Sequence, residues 1–113
     1  MSACLFCEIA SGQRPAELVA STDQAVAFRD LNPQAPVHLL VVPKRHLDSA
    51  AALSMGDAEL LADLFSLAVS VASEEDLAEG WRLVTNVGPA AGQSVNHLHF
   101  HLLGGRQMGW PPG

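Results

Sequence analysis

The segment from His97 to Leu103 alternates histidine with large apolar residues, in the order His-Leu-His-Phe-His-Leu-Leu. Successive side chains of a β-strand point to opposite faces, so a period of two predicts one strand with an apolar face and an imidazole face. A hydrophobic core does not need three neighbouring imidazoles. The alternative to a functional site is a polar strand that simply faces solvent. We therefore expect the three histidines to carry out chemistry.

A loop precedes this strand, and its composition suits an anion. It runs from Asn86 to Val95 and contains Gly92-Gln93-Ser94. Exposed backbone N–H groups in such a loop can hold phosphate oxygens. We expect these oxygens to contact the side chains of Asn86 and Ser94 and the backbone N–H groups from Gly92 through Gln93 to Val95.

The overall composition limits the partners of the chain. Its 113 residues are 49% hydrophobic, which predicts a single domain over residues 1–113 with one core. With 6 basic and 12 acidic residues the net charge is −6, which argues against nucleic acid or an anionic membrane as partner. The sequence has neither a signal segment nor an apolar run of membrane-spanning length. Its only cysteines, Cys4 and Cys7, are too close together to staple a secreted fold, so we expect a cytoplasmic protein.

Periodicity predicts an α+β domain, an antiparallel meander with one long helix packed on it. A short N-terminal helix ends near Gly12, and the long helix runs from a Ser54 cap to about Asp76, with Asp57 completing a capping box. The C-terminal tail is too rich in glycine and proline for regular structure. The predicted strands are 18–20, 25–28, 37–43, 81–86 and 97–103, and the irregular tail is 104–113.

The strand spacing divides the histidines between tasks. Residues two apart on a strand are separated by about 6.6 Å and residues four apart by about 13 Å, so His97 and His101 should not share one small ligand. His99 is the predicted nucleophile, because neutral imidazole attacks phosphorus well and titrates near neutral pH. His101 is expected to contact the same phosphoryl group. His38, on the neighbouring central strand, is expected to fix the tautomer of His99 through a hydrogen bond.

Cys4 and Cys7 form a C-x-x-C motif, which alone is compatible with a redox pair, a metal site or thiols in the core. Redox motifs of this kind usually follow a strand in a βαβ unit, which this chain lacks. A structural zinc ion needs four ligands in tetrahedral geometry. His46 and His97 remain once the other histidines are assigned to phosphate, so Cys4, Cys7, His46 and His97 are the predicted zinc ligands. No catalytic metal or organic cofactor is expected.

Apolar residues early in the chain could line a slot for a flat base, although ordinary core packing is an equal alternative for each one. Asp30, which follows a strand, could accept hydrogen bonds from ribose hydroxyls or could cap its own loop. The predicted slot residues are Leu5, Phe6, Ile9, Leu18 and Phe28.

His-x-His-x-His followed by two apolar residues resembles the signature of the histidine-triad (HIT) superfamily, and nearly the whole chain resembles its Hint branch. The transferase relatives carry glutamine at the third histidine position, so His101 indicates the hydrolase side. The matching stretches are 28–38, 42–46, 92–97 and 103–113.

The resemblance implies a homodimeric HIT domain that hydrolyses purine nucleoside phosphoramidates through a nucleotidyl-histidine intermediate on His99. It implies that His38 orients the nucleophile, that His101, Asn86, Ser94 and the Val95 N–H contact phosphate, and that Asp30 and Leu31 contact ribose. It also places the end of the chain near the partner's active site, where Trp110 would contact the leaving group. Some relatives lack the cysteine pair, and relatives often carry a larger residue at the position of Gly109.

Three other functions are compatible with these residues. A dinucleoside polyphosphate hydrolase of the Fhit-like branch is the enzymatic alternative, although the ending Trp110-Pro111-Pro112-Gly113 favours Hint. A non-catalytic nucleotide-binding module would not need the full set of histidines. A metal-dependent hydrolase would have to use the histidine row as ligands, which a flat strand strains.

Overall fold

The computed structural model describes residues 4–113 and confirms the predicted α+β class. Every strand pairing in it is antiparallel, and the described part contains one long and one short α-helix. No helix among residues 4–113 is long and apolar enough to cross a membrane. The elements are α1 (Leu5–Ala10), β1 (Leu18–Ser21), β2 (Ala25–Arg29), β3 (Val37–Pro43), α2 (Ala58–Glu74), β4 (Trp81–Val84) and β5 (Phe100–Gly104).

The strand order is β1-β2-β3-β5-β4, which differs from a simple meander in its last two strands. After β3 the chain passes through α2, enters the sheet at its edge as β4, and returns between β3 and β4 as β5. The histidine-bearing end of the chain therefore lies beside the central strand that carries His38. This adjacency brings His38 and His101 together.

The sheet is covered on both faces, and the period of two along β3 divides its residues between them. Leu39 and Val41 belong to the larger core, which lies against α2. Leu40 and Val42 belong to a second, smaller cluster against α1. Burial on both faces explains why β3 is apolar almost throughout. His38 shares the α1 face with Leu40, since the two are one period apart.

Several predicted element boundaries are wrong. The histidine strand begins at Phe100 instead of His97, because the backbone before it bonds elsewhere: the Leu98 N–H donates to the Leu47 carbonyl (2.6 Å). The His99 carbonyl accepts a hydrogen bond from the Thr85 hydroxyl (2.8 Å). The fourth strand ends at residue 84, two residues earlier than predicted. The long helix starts at residue 58, after a 3₁₀ turn at 55–57, and the tail without regular structure starts at 105, not 104.

The predicted capping contact before α2 is present and involves a basic residue as well. The Ser54 N–H donates to Asp57 Oδ2 (3.0 Å), and the Arg45 guanidinium donates to Asp57 Oδ1. The hydrogen bond from Arg45, with those from Ser54, lowers the pKa of Asp57. This cluster joins the loop after β3 to the start of the long helix.

Candidate active site and candidate metal centre

A chain of hydrogen bonds fixes the tautomers of His38 and His101. The backbone N–H of Gln34 donates to His38 Nδ1 (3.0 Å), so the proton of the neutral His38 ring is on Nε2. His38 Nε2 lies 2.9 Å from His101 Nδ1 and donates to it. The proton of the neutral His101 ring is therefore on Nε2, its other nitrogen. Burial lowers the pKa of both histidines, which favours these neutral forms in the free protein.

A backbone carbonyl fixes His99 in the opposite tautomer. Its Nδ1 lies 2.7 Å from the carbonyl oxygen of His97, which can only accept, so Nδ1 carries the proton and Nε2 has a free lone pair. The ring centroids of His99 and His101 are 5.1 Å apart. Two adjacent imidazoles thus present complementary atoms: a nucleophilic nitrogen on His99 and an N–H donor on His101.

This arrangement corrects the role predicted for His38. Its hydrogen bond goes to His101, and the tautomer of His99 is set by the His97 carbonyl. The register of the sheet explains the difference, because Leu40 pairs with His101 across β3 and β5, which leaves His38 diagonal to His101 on the same face. His99 precedes the strand and lies further along the site.

Asp30 caps its own loop, one of its two predicted roles, and also lies beside the histidine pair. Its Oδ1 accepts from the Asn32 N–H (2.8 Å), the hydrogen bond of a loop-capping aspartate. Its Oδ2 lies 3.4 Å from His38 Nε2 and 4.0 Å from His101 Nδ1. The carboxylate can therefore act as counter-ion if this imidazole pair takes up a proton.

A cavity of about 500 Å³ lies beside His99 and His101. Its apolar walls come from α1 and from the strands beneath it, and Phe6 meets the ring of His99 edge-on with centroids 5.0 Å apart. Polar residues line the histidine end. Of the predicted site residues, Leu5, Phe6, Ile9, Phe28, Asp30, Leu31, Ser94, Val95, His99 and His101 line this cavity.

A second cluster joins the cysteine motif to two histidines, as predicted. Ligand atoms of Cys4, Cys7, His46 and His97 all lie within 4.8 Å of one another. Cys4 Sγ is 3.2 Å from His97 Nδ1, Cys7 Sγ is 3.3 Å from His46 Nδ1, and the two Nδ1 atoms are 3.2 Å apart. A tetrahedral zinc ion at usual bond lengths holds its nitrogen and sulfur ligands about 3.3–3.8 Å apart, so these four donors could hold one with little movement.

The outer contacts of both histidines also suit a metal ligand. His97 Nε2 donates to the Pro43 carbonyl (2.8 Å), which leaves the Nδ1 lone pair facing the cysteines. His46 Nε2 lies 2.8 Å from the Asp48 carboxylate, which orients its ring in the same way. Metal-bound histidines usually have their second nitrogen held by a carbonyl or carboxylate. Burial lowers the pKa of His97, which favours the neutral, ligating form.

Residues 11–108 match the HIT domain family. The chain belongs to this family. It is 46% identical over 109 residues to an uncharacterised HIT-like protein of Synechococcus elongatus, with 96% of each chain covered. It is also 46% identical over 115 residues to adenylylsulfatase HINT1 of Arabidopsis thaliana, with 99% of this chain and 78% of that protein covered. The crystal structure of a HIT family hydrolase from Legionella pneumophila superposes with a TM-score of 0.94 at 51% identity, over 97% of this chain and 99% of that one.

Five predicted nucleotide contacts lie outside the cavity lining of this HIT domain. Leu18 starts the edge strand β1, beside a register shift, and its side chain is 54% exposed. Trp110 lies in the tail, is 85% exposed and is not among the described residues that line the cavity. The remaining three belong to the connection between β4 and β5: Asn86, Gly92 and Gln93.

Gln93 and Gly92 shape the loop that carries Ser94. The Gln93 amide accepts from the Gly88 N–H (2.9 Å) and donates to the carbonyls of Asp48 (2.7 Å) and Val95 (3.0 Å). Gly92 has a φ of 89°, in the left-handed region that favours glycine. Both residues therefore hold the loop in place while Ser94 and Val95 face the cavity.

The sequence did not predict several residues that line the cavity of this HIT domain. Ala16 lines the cavity whereas Leu18 does not, and Arg14 brings a charge to the lining. A charged residue in the loop after a short helix gives no periodic signal, so only the proximity of Arg14 to α1 could have indicated it. The residues found only in the structure are Arg14, Pro15, Ala16, Arg29 and Leu40.

Proposed function

We propose that this HIT domain belongs to the Hint branch and hydrolyses the P–N bond of purine nucleoside phosphoramidates through a nucleotidyl-histidine intermediate. The observation that carries the proposal is the pair of fixed tautomers, with the free Nε2 of His99 beside the N–H of His101. The apolar cavity next to them supports a bound purine, with Asp30 and Leu31 near the ribose. The relatives named hydrolase and adenylylsulfatase support nucleotide hydrolysis as the class of reaction.

In the first half of the reaction, His99 Nε2 bonds to phosphorus and the P–N bond breaks, with its electron pair remaining on nitrogen. The anionic phosphoryl group favours the protonated form of His101, which enters this step protonated on both nitrogens. The added proton on His101 Nδ1 ends the hydrogen bond from the His38 Nε2–H, which then donates to Asp30 Oδ2, 3.4 Å away, and the Asp30 carboxylate balances the added charge. His101 Nε2 then gives its proton to the departing nitrogen, which leaves as a neutral amine.

In the second half, water attacks phosphorus and displaces His99 Nε2. His101 now has a free lone pair on Nε2 and accepts the proton that water loses, which restores its starting state. The products are an amine and a nucleoside monophosphate. Ser94 and the Val95 N–H, whose residues line the same cavity as both rings, would hold the phosphate oxygens through these steps.

A sulfate leaving group is the second candidate, since one 46% identical relative is named an adenylylsulfatase. The same nucleophile would attack phosphorus, and sulfate would depart without needing a proton. A dinucleoside polyphosphate hydrolase and a non-catalytic nucleotide-binding module stay open as alternatives.

The decisive experiment is to mix the protein with adenylated and guanylated amines, adenylyl sulfate and a dinucleoside polyphosphate, quench early, and search by mass spectrometry for a nucleotidyl adduct on His99. Binding without any adduct or turnover would favour the non-catalytic module.

We also propose a structural zinc ion on Cys4, Cys7, His46 and His97. When bound, it would cross-link α1 to the segment before β5. Two parts of the active site depend on these ligands: Phe6 and Ile9 flank Cys7 on α1, and the His97 carbonyl holds the nucleophilic histidine. Thiolate ligands need a reducing compartment, which supports the predicted cytoplasmic location.

Protein purified under reducing conditions is expected to contain one zinc per chain, and removing it should destabilise the fold. A decrease of about 2 kcal/mol in the free energy of unfolding would lower the Tm by about 10 °C in a domain of this size. Hydrolysis should continue in EDTA at temperatures where the fold survives, because imidazole and not metal-bound water is the nucleophile. Elemental analysis and thermal unfolding with and without a strong chelator test this.

The double variant Cys4→Ser, Cys7→Ser is the matched control for chelation. Its Tm should already be lowered without chelator, and added chelator should not lower it further. Absence of metal in the wild-type protein, or identical Tm values for the two proteins, would contradict the zinc site. Immediate loss of activity on chelation without unfolding would instead indicate a catalytic metal.

We propose that the protein acts as a homodimer, with α2 and β4 facing a second copy. Phe65 is 46% exposed and Val69 is 54% exposed, one helical turn apart on α2. Leu61 on α2 and Trp81 on β4 are also exposed, and large exposed apolar side chains are common at interfaces. The C-terminal tail lies beside the same surface, because the Arg82 guanidinium of β4 donates to the carbonyls of Gly109 and Pro112. Trp110 of this tail stays exposed, so a second copy at this surface could cover it.

Phe65→Glu is expected to convert the dimer to a monomer, because a carboxylate would be buried in an apolar interface. Ser70→Glu, five residues on and about 140° around the helix, is the matched control and should leave the dimer intact. Analytical ultracentrifugation measures the oligomeric state of both variants.

If Trp110 acts across the interface, Phe65→Glu and truncation from Arg106 should change kcat/KM in parallel, and more for bulky amines than for small ones. A wild-type monomer would contradict the proposal.

A further inference from the structure

Arg14 brings a guanidinium to the cavity lining beside α1. It lines the cavity together with Leu5 and Ile9 of α1. Its side chain is about half exposed, so it stands at the mouth, and Glu8 of the same helix holds it there. Both Arg14 Nε and Nη2 lie 3.0 Å from Glu8 Oε1.

This contact leaves one edge of the guanidinium available. Arginine has five N–H donors in a rigid plane, and Glu8 occupies the Nε–Nη2 edge. Among residues 4–113, Glu8 is the only hydrogen-bonding partner of Arg14, so the Nη1–Nη2 edge still has two parallel N–H groups. Arg29, the other cavity arginine, differs, because Glu17 binds its Nε and Glu75 binds both of its terminal nitrogens.

The two purine bases differ at the edge that such a pair of donors would meet. Guanine presents two acceptors there, O6 and N7, which match the paired N–H groups of arginine. Adenine presents one acceptor, N7, and an N6 amino group, whose N–H would face the N–H of arginine. The other polar lining residues on the site side, Asp30, Ser94, His99 and His101, are assigned to ribose and phosphate.

We propose that Arg14, held by Glu8, binds the O6 and N7 atoms of guanine and makes this HIT domain prefer guanine nucleotides to adenine nucleotides. The proposal rests on the proposed nucleotide site and adds the base that the site selects. Arg14 is thus a specificity-determining residue, distinct from the residues that act on phosphorus. Because the guanidinium is half exposed, its discrimination should lie at the lower end of the range for such contacts.

The test is calorimetric titration of the wild-type protein with nucleoside monophosphates, which need no turnover. GMP should bind about fivefold to tenfold more tightly than AMP, as expected for a partly exposed bidentate contact. IMP, which keeps O6 and N7 but lacks the 2-amino group, should follow GMP. 7-Deaza-GMP, which lacks the N7 acceptor, should bind less tightly than GMP.

Two variants identify the residue responsible. Arg14→Leu should abolish the preference while AMP affinity stays within about twofold, since the stacked base keeps its apolar walls. Arg14→Lys keeps the charge but not the paired donors and should lose most of the preference. Unchanged Tm values would establish that both variants fold.

Equal affinities for GMP and AMP in the wild-type protein would overturn the inference, as would a preference that survives in Arg14→Leu. Equal weakening of all nucleotides in Arg14→Leu would assign the arginine to phosphate or to the fold instead. Full preference in Arg14→Lys would exclude the bidentate contact. If neither GMP nor AMP binds, the proposed function fails together with this inference, whereas equal binding of both removes the base preference alone.

Discussion

Replacing His99 with alanine is expected to lower kcat for phosphoramidates by at least about 10³-fold, because the covalent route passes through this one imidazole. Nucleotide affinity should stay within about one order of magnitude, since the proposed base and ribose contacts come from α1, β2 and the loop after it. Single-turnover kinetics and calorimetric binding of a nucleoside monophosphate measure the two quantities separately. The nucleotidyl adduct should disappear with the activity.

His99→Gly with added imidazole provides the control for a purely structural effect. The variant leaves space beside Phe6, and free imidazole that enters it can attack phosphorus in place of the missing side chain. Partial rescue by imidazole would attribute the loss to the missing nucleophile. Turnover of His99→Ala within about tenfold of the wild-type value would refute the assignment of His99.

The alternation of histidines with apolar residues predicted which side chains share a face, but it did not predict the strand. Leu98, Phe100 and Leu102 all enter the larger core, as the period of two requires. His97 and His99 nevertheless precede β5, because the Leu98 N–H bonds to a loop carbonyl and not to a neighbouring strand. A side-chain pattern records burial, whereas strand boundaries depend on where backbone partners are available.

The order of the last two strands decided the role of His38, and the sequence could not supply that order. Once β5 lies beside β3, His38 contacts His101, and a backbone carbonyl sets the tautomer of His99. Side-chain types do not indicate a contact to a backbone carbonyl, because every residue carries one. The Cys4–His97 cluster, in contrast, was predicted from ligand chemistry alone, because zinc sites need few and recognisable residue types.

The positions of Leu18 and Arg14 mark the limit of prediction from residue types. Leu18 is apolar and near the slot in sequence, yet the start of an edge strand exposes it. Arg14 is a charged residue in a loop, a type usually exposed to solvent, yet the chain after α1 places it at the cavity. Loop conformation determines both outcomes, and neither residue type indicates it.

His101→Gln is expected to separate the two candidate leaving groups. A glutamine amide can donate a hydrogen bond but cannot transfer a proton, and an amine cannot leave readily as an anion. Phosphoramidate turnover should therefore fall about 10²–10⁴-fold, the range for loss of a general acid. Sulfate leaves without protonation, so the rate of formation of the nucleotidyl-histidine from adenylyl sulfate should fall by less than about tenfold. Burst kinetics of the first half-reaction measure this rate for each substrate.

Ser94→Ala is the matched control, because Ser94 lines the same cavity but its hydroxyl is far too weak an acid to act as the general acid. Losing a phosphate contact should slow the first half-reaction similarly for both substrates. Equal losses in His101→Gln would mean that His101 only binds phosphate and that the amine obtains its proton elsewhere. A selective loss with amine substrates would instead assign the proton to the Nε2–H of His101, the group that Gln34 and His38 fix through their hydrogen bonds.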